Sequence, residues 1–179
     1  MTPDVTGGTY RGAPALPVIE TVANADRVRD PNVRQFLALW FAEADAGRPP
    51  GKDFLDPLRL RFLLGSLSLL DVEKNPLRFR YRVVGTDVVQ RLGVELTGKW
   101  LDDHPVASIR PLLIQGARMV YHTGKPVYGS VDTRALGQDW ALEVVAVPLF
   151  AADGSVGWIG AGQTFPPDKA ERQPEQPVS

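Results

Sequence analysis

The chain has 179 residues, a net charge of −1 and a pI near 6.1, which suits one globular domain and argues against a surface built for nucleic acid. Cysteine is absent, so disulfides, thiolate catalysis, iron–sulfur clusters and Cys-based zinc sites are excluded. The two histidines, His104 and His122, are too few for a His-rich metal centre, and no stretch approaches the roughly 20 apolar residues of a membrane span.

Residues 1–30 read as a flexible N-terminal segment, and Met1–Gly12 lacks the basic start and apolar run of a signal peptide. The expected location is the cytoplasm. The folded domain spans 31–165, and the Pro-rich tail 166–179, whose one large apolar residue is Val178, reads as disordered. Within the domain, Asp30 and Pro31 open a first helix that Gly47 and Pro49-Pro50 end. A short second helix is expected from Asp56-Pro57 to Leu64. Leu67 to Glu73 then suggest a strand, Asn75-Pro76 a turn, and Leu77 to Val83 a second strand that alternates apolar and basic residues. Asp87 to Leu92 can form a short helix, and Ser108 can cap a longer one that Gly124 terminates. Three strands complete the chain: Pro126–Thr133, Trp140–Phe150 and Val156–Phe165. Gly137 lies in the first connection and Asp153-Gly154 in the second. Five strands with helices inserted between them predict an α+β domain on a mostly antiparallel sheet.

Several strings invite a chemical reading. Gly93 to Lys99 matches most of a phosphate loop, but Trp100 stands where a magnesium-binding hydroxyl is needed and Glu95 would repel phosphate. Gly160-Ala161-Gly162 fails as a dinucleotide fingerprint because Phe165 and Pro166-Pro167 follow. Asp102-Asp103-His104 offers three possible metal ligands, yet a polar loop before a helix explains them as well. No carboxylate pair stands out as catalytic. The expected catalytic and metal sets are therefore empty, and the chain is expected to be non-enzymatic.

Arg78, Arg80 and Arg82 project from one strand face. Pairing with acids such as Glu73 or Glu143 gives Arg80 and Arg82 a structural role, and the other reading is an anion or partner contact. In the first helix Val33, Phe36, Leu37, Trp40, Phe41 and Ala44 form an unusually broad apolar stripe, with Leu39 outside it. Its breadth predicts a homodimer contact through Leu39, Trp40 and Phe41. The alternative is a helix folded back onto its own sheet.

Arg80-Tyr81-Arg82-Val83-Val84-Gly85-Thr86, Leu96-Thr97-Gly98 and Gly124-Lys125-Pro126-Val127, in this order, resemble a family of bacterial PAS-domain proteins, mostly short chains without an output domain. The resemblance covers about 36–163. It implies five antiparallel strands in the order 2-1-5-4-3 with helices on one face, and a sensory or regulatory role in signalling through a small molecule or a protein partner. It also implies dimerisation through a helix before the first strand. Flavin in the manner of light-oxygen-voltage domains needs a cysteine, and haem in PAS sensors uses a mid-helix histidine. The corresponding helix centre here reads Leu112-Leu113-Ile114-Gln115, so neither cofactor is expected. Any ligand is expected between the sheet and the helices of 86–123, beside Tyr81, Tyr121 and Trp158, where Gly160 and Gly162 leave room. The competing function is a small enzyme or carrier holding an apolar substrate in the same cup. No nucleic-acid or membrane partner is expected.

Overall fold

A computed structural model describes residues 17–133 and 140–166. Helix α1 (Pro31–Asp45) starts as expected: Asp30 Oδ1 accepts hydrogen bonds from the Asn32 and Val33 amides, both at 2.9 Å. Six strands follow one antiparallel sheet: β1 (Val18–Thr21), β2 (Leu67–Glu73), β3 (Arg78–Val84), β4 (Val127–Asp132), β5 (Ala141–Phe150) and β6 (Val156–Thr164). Their spatial order is β1-β4-β5-β6-β2-β3. The five expected strands thus lie in the expected sequence.

The sixth strand corrects the reading of 1–30 as wholly flexible. Val18-Ile19-Glu20-Thr21 pairs with β4, Ile19 opposite Gly129, and Val22 N donates to Pro126 O at 3.0 Å. Residues 1–16, the Gly137 connection and the tail beyond Pro166 lie outside the described residues. The helix expected from Asp56 to Leu64 is instead a set of turns. A 3₁₀ turn, Lys52–Leu55, precedes them and another, Leu64–Ser66, follows. Asp56 supports the first of these turns by accepting from Leu58 N, and isolated bonds such as Leu63 N to Leu60 O do not propagate into a helical ladder.

Helix α2 (Thr86–Leu92) closes on Gly93 at φ 68°, and α3 (Arg110–Thr123) closes on Gly124 at φ 62°. The cap expected from Ser108 is absent; Ile109 holds the N-cap position without a side-chain hydrogen bond.

Both faces of the sheet are covered. On one face Leu67, Leu69, Tyr128, Val145, Val147 and Leu149 meet Val33, Phe36, Leu37 and Trp40 of α1. On the other, Leu70, Tyr81, Val127 and Ile159 meet Ala117 and Val120 of α3. Each buried apolar side chain of α1 contributes about 1.5–3 kcal/mol against exposure, and Trp40 Nε1 adds a donation to Pro148 O at 2.9 Å.

Candidate ligand site in the cup under helix α3

The alternation of strand residues decides what faces α3. Successive side chains point to opposite faces, so β6 gives Ile159, Ala161 and Gln163 to the α3 side. β2 gives Ser68 and Leu70, β3 gives Tyr81, β4 gives Val127, Gly129 and Val131, and β5 gives Leu142, Val144 and Ala146. Ile19 of β1, Leu101, Ile109 and four residues of α3 (Leu112, Leu113, Gly116, Ala117) complete the wall. Together they line a partly open cavity of about 80 Å³ with no charged side chain in its lining.

Gly116 faces this space from the middle of α3. A Cβ there would meet nothing within 4 Å, so steric need does not explain a glycine that costs a helix about 1 kcal/mol relative to alanine. Gly129, by contrast, lies close to Val144, with 3.1 Å from a Cβ to Val144 Cγ1.

Three polar side chains line the cup. Gln163 Nε2 donates to Ser68 Oγ at 3.0 Å, which leaves the Ser68 hydroxyl proton free to point elsewhere. Tyr81 is only 7% exposed, and its hydroxyl makes no hydrogen bond with a described residue. Burial pushes the phenol up from its ordinary value, so it stays protonated.

The Tyr81 backbone is clamped. Its amide donates to Lys99 O at 2.9 Å and its carbonyl accepts from Gly98 N at 2.6 Å, Gly98 having φ 84°. The Arg-Tyr-Arg and Leu-Thr-Gly strings are therefore one structural unit: the second holds the first at the edge of the cup. The phosphate-loop look of Gly93 to Lys99 comes from this turn chemistry.

His104 lies behind Tyr81, the ring centres 6.5 Å apart. It is buried, its Nδ1 accepts from Val106 N at 3.2 Å, and its carbonyl accepts twice from the Arg110 guanidinium, at 2.7 and 3.1 Å. Asp102 is paired with Arg78 at 2.7 Å, so the Asp102-Asp103-His104 string is committed to the fold. Among the described residues no group of three metal-ligating side chains exists. Desolvation, with the Arg110 charge acting in the same direction, pushes the His104 imidazole down to about 4. Between pH 6.5 and 4 the unfolded chain then binds a proton that the folded chain refuses, and stability falls with acidification. The expected loss by pH 5 is about 2 kcal/mol relative to pH 7. Urea denaturation across that range checks it; a His104→Gln variant should lose this part of the slope.

The structure brings only part of the expected site together. Tyr81 lines the cup. Gly160, Gly162 and Trp158 lie one residue out of phase, on the opposite face that α1 and the 52–55 turn cover: a Cβ on Gly162 would sit 3.0 Å from Phe36 Cδ1 and 2.9 Å from Leu63 Cδ2, one on Gly160 3.3 Å from Leu55 Cδ2, and Lys52 Nζ lies 5.7 Å from the Trp158 ring centre. Tyr121, half-buried on α3 with its ring edge-on to His122, packs beside the cup without lining it. Ser68, Gly116 and Gln163 escaped the sequence reading.

The remaining candidates make contacts within the chain. Arg82 pairs with Asp71 at 3.0 Å and Arg80 with Glu73 at 3.3 Å, while Arg78 stacks over Trp100 at 4.1 Å. These half-exposed pairs are worth about 0–1 kcal/mol each. Glu143 is not among their partners. It is buried on the α1 face, where its carboxylate accepts from Asp30 N at 2.8 Å, Arg29 N at 3.1 Å and Tyr128 Oη at 3.0 Å. Trp40 is buried, and Leu39 and Phe41 are half-buried against the same core.

The profile of the PAS domain family (PAS_5) matches residues 28–161, and the chain belongs to that family, a class of sensory and regulatory modules. No curated protein matches the chain. Among solved structures it is similar to an RNA-binding light-oxygen-voltage receptor, with a TM-score of 0.51 and 13% identity over 86% of this chain and 40% of that one. It thus spans well under half of that receptor. A light-oxygen-voltage domain studied with a flavin analogue gives a TM-score of 0.46 and 11% identity, covering 63% of this chain and 85% of that one. VqmA bound to DPO gives 0.44 and 14%, covering 61% and 57%. The first likeness establishes the fold.

The lining of the cup does not fit the flavin or haem weighed from the sequence. A flavin adduct needs a cysteine that the sequence lacks, and a flavin phosphate needs a cation that the lining lacks. Haem needs an axial ligand, and no histidine, cysteine or methionine lines the cavity. No helix among the described residues is long and apolar enough to cross a membrane.

Proposed function

We propose that this PAS domain is a non-enzymatic, cytoplasmic sensory or regulatory module whose input is a small, uncharged, largely apolar molecule held between α3 and the sheet. The cup carries this reading: an apolar wall, no charged group, a few polar atoms, and a mid-helix glycine whose absent side chain leaves the space open. The lining offers no acid–base pair, which favours sensing over the enzyme reading. In this reading the occupied domain is recognised by a signalling protein or by a second copy of the chain, and sedimentation with and without ligand separates the two.

Gly116→Leu tests the site. The longer side chain fills the cup from α3 without meeting a neighbour at its Cβ, and alanine at the same position should stabilise the helix by up to about 1 kcal/mol. Native mass spectrometry of protein from its own host should show a bound small molecule in the wild type and its loss in Gly116→Leu. Retention of that molecule at wild-type stoichiometry in a folded Gly116→Leu protein would place the site elsewhere.

A further inference from the structure

We propose that Tyr81 sets the specificity of the cup, selecting ligands that carry a neutral hydrogen-bond acceptor, such as a carbonyl, an ether or a ring nitrogen. This rests on reading the cup as a ligand site.

The first observation is an unmatched donor. Tyr81 is more than nine-tenths buried, lines the cavity, and gives its O–H to no described residue. No polar side-chain atom of the described residues is both sealed from solvent and without a partner, so the Tyr81 oxygen keeps some access, and Tyr81 lines the cavity. A buried O–H costs free energy until something accepts its proton. The other polar groups of the lining are engaged with each other, Gln163 with Ser68 at 3.0 Å. The Ser68 hydroxyl proton is also uncommitted, but of the three polar side chains only that of Tyr81 has no described partner.

The second observation is rigidity. The Tyr81 amide and carbonyl are both tied to the 98–99 turn, and His104 lies against the ring, itself held by Val106 N. The hydroxyl is thus presented from a fixed backbone, the condition under which one hydrogen bond discriminates between ligands of equal shape.

The third is charge. No Lys, Arg or His lines the cup, so an anionic acceptor such as a carboxylate would be desolvated without compensation. The acceptor is therefore neutral. The small volume, about 80 Å³, suits a compact ring or short chain.

Cyclohexanone and methylenecyclohexane share a shape and differ in one acceptor atom. We expect both to bind the full-length protein in ligand-observed NMR titrations. Tyr81→Phe should weaken cyclohexanone about tenfold, which is one hydrogen bond of about 1.4 kcal/mol, and change methylenecyclohexane less than twofold. In the wild type, cyclohexanone should also shift the Tyr81 ring carbon bearing the hydroxyl, and methylenecyclohexane should not; this measurement holds even if the variant folds poorly. Equal losses for both probes, or none for either with no such shift, would overturn the role of Tyr81 while leaving the cup as a site. Failure of both probes to bind wild-type protein would count against the cup itself.

Discussion

Gly85→Ala should cost about 4 kcal/mol, a large part of the 5–15 kcal/mol that holds a domain of this kind together. Gly85 ends β3 in the Arg-Tyr-Arg string and precedes α2, and its φ of −66° is open to any residue. The demand for glycine is steric. A Cβ would stand 2.1 Å from Gly65 O and 2.6 Å from Leu64 O, both backbone atoms that no rotamer change can remove. Relief requires separating the 64–66 turn from α2, which also strains the hydrogen bond from Gly85 N to Leu67 O at 2.7 Å. Gly93 provides the contrast. Its φ is 68° but nothing lies within 4 Å of a Cβ, so Gly93→Ala should cost about 1 kcal/mol through the backbone alone. Urea denaturation midpoints for the two variants check the ranking, and equal losses would show that the 65–85 contact relaxes freely.

Glu143→Ala should cost about 3 kcal/mol and act first on the start of α1. The carboxylate serves three donors: the Arg29 and Asp30 amides, just before the helix, and the Tyr128 hydroxyl on the neighbouring strand. Removing it leaves these donors in a place where water has little access, and each unsatisfied donor costs about 1–3 kcal/mol. Asp30 is also the N-cap of α1, so its loss of anchorage loosens the cap. Hydrogen exchange should quicken at residues 28–36 before it quickens in β2. A variant that loses less than about 1 kcal/mol, with exchange there unchanged, would mean that another group has taken over those donors.

What the sequence made legible depends on how sharply its residues differ. The basic–apolar alternation of Arg78 to Arg82 leaves one phase for that part of β3, with Phe79 and Tyr81 on the inner face, but Val83, beyond the register shift between Leu69 and Leu70, is 53% exposed. Val156 to Thr164 has no such contrast: Trp158, Ile159, Gly160, Ala161 and Gly162 are all apolar or small, because both faces of β6 are covered. Nothing in that string tells which face is the cup. The expectation puts both glycines in the cavity, whereas Gly162 makes room for Phe36 and Leu63 and Gly160 lies against Leu55, Val147 and Leu149 on the opposite face. Val18 to Thr21 is too short and too close to prolines to announce a strand, and its pairing comes from the β4 edge it covers. Glu143 was paired with arginines on charge alone, whereas its partners are mostly backbone amides, which carry no sequence signature. Gly116 carried a signal that could have been used: a glycine in the interior of a long helical pattern asks for a reason.

The two margins of the sheet bear on how this molecule meets others of its kind. At one, the middle of β3 has already spent its outward-pointing groups on the 98–99 turn, with Trp100 bridged to Arg80. At the other, the outermost strand among the described residues is β1, four residues long. A neighbouring chain seeking to extend the ladder finds a filled socket on one side and a short template on the other, two of the means by which β-proteins resist fibrous growth. Association by strand addition is thereby discouraged at both rims, and the surfaces left for recognition are those where side chains, rather than backbone amides, make the contact.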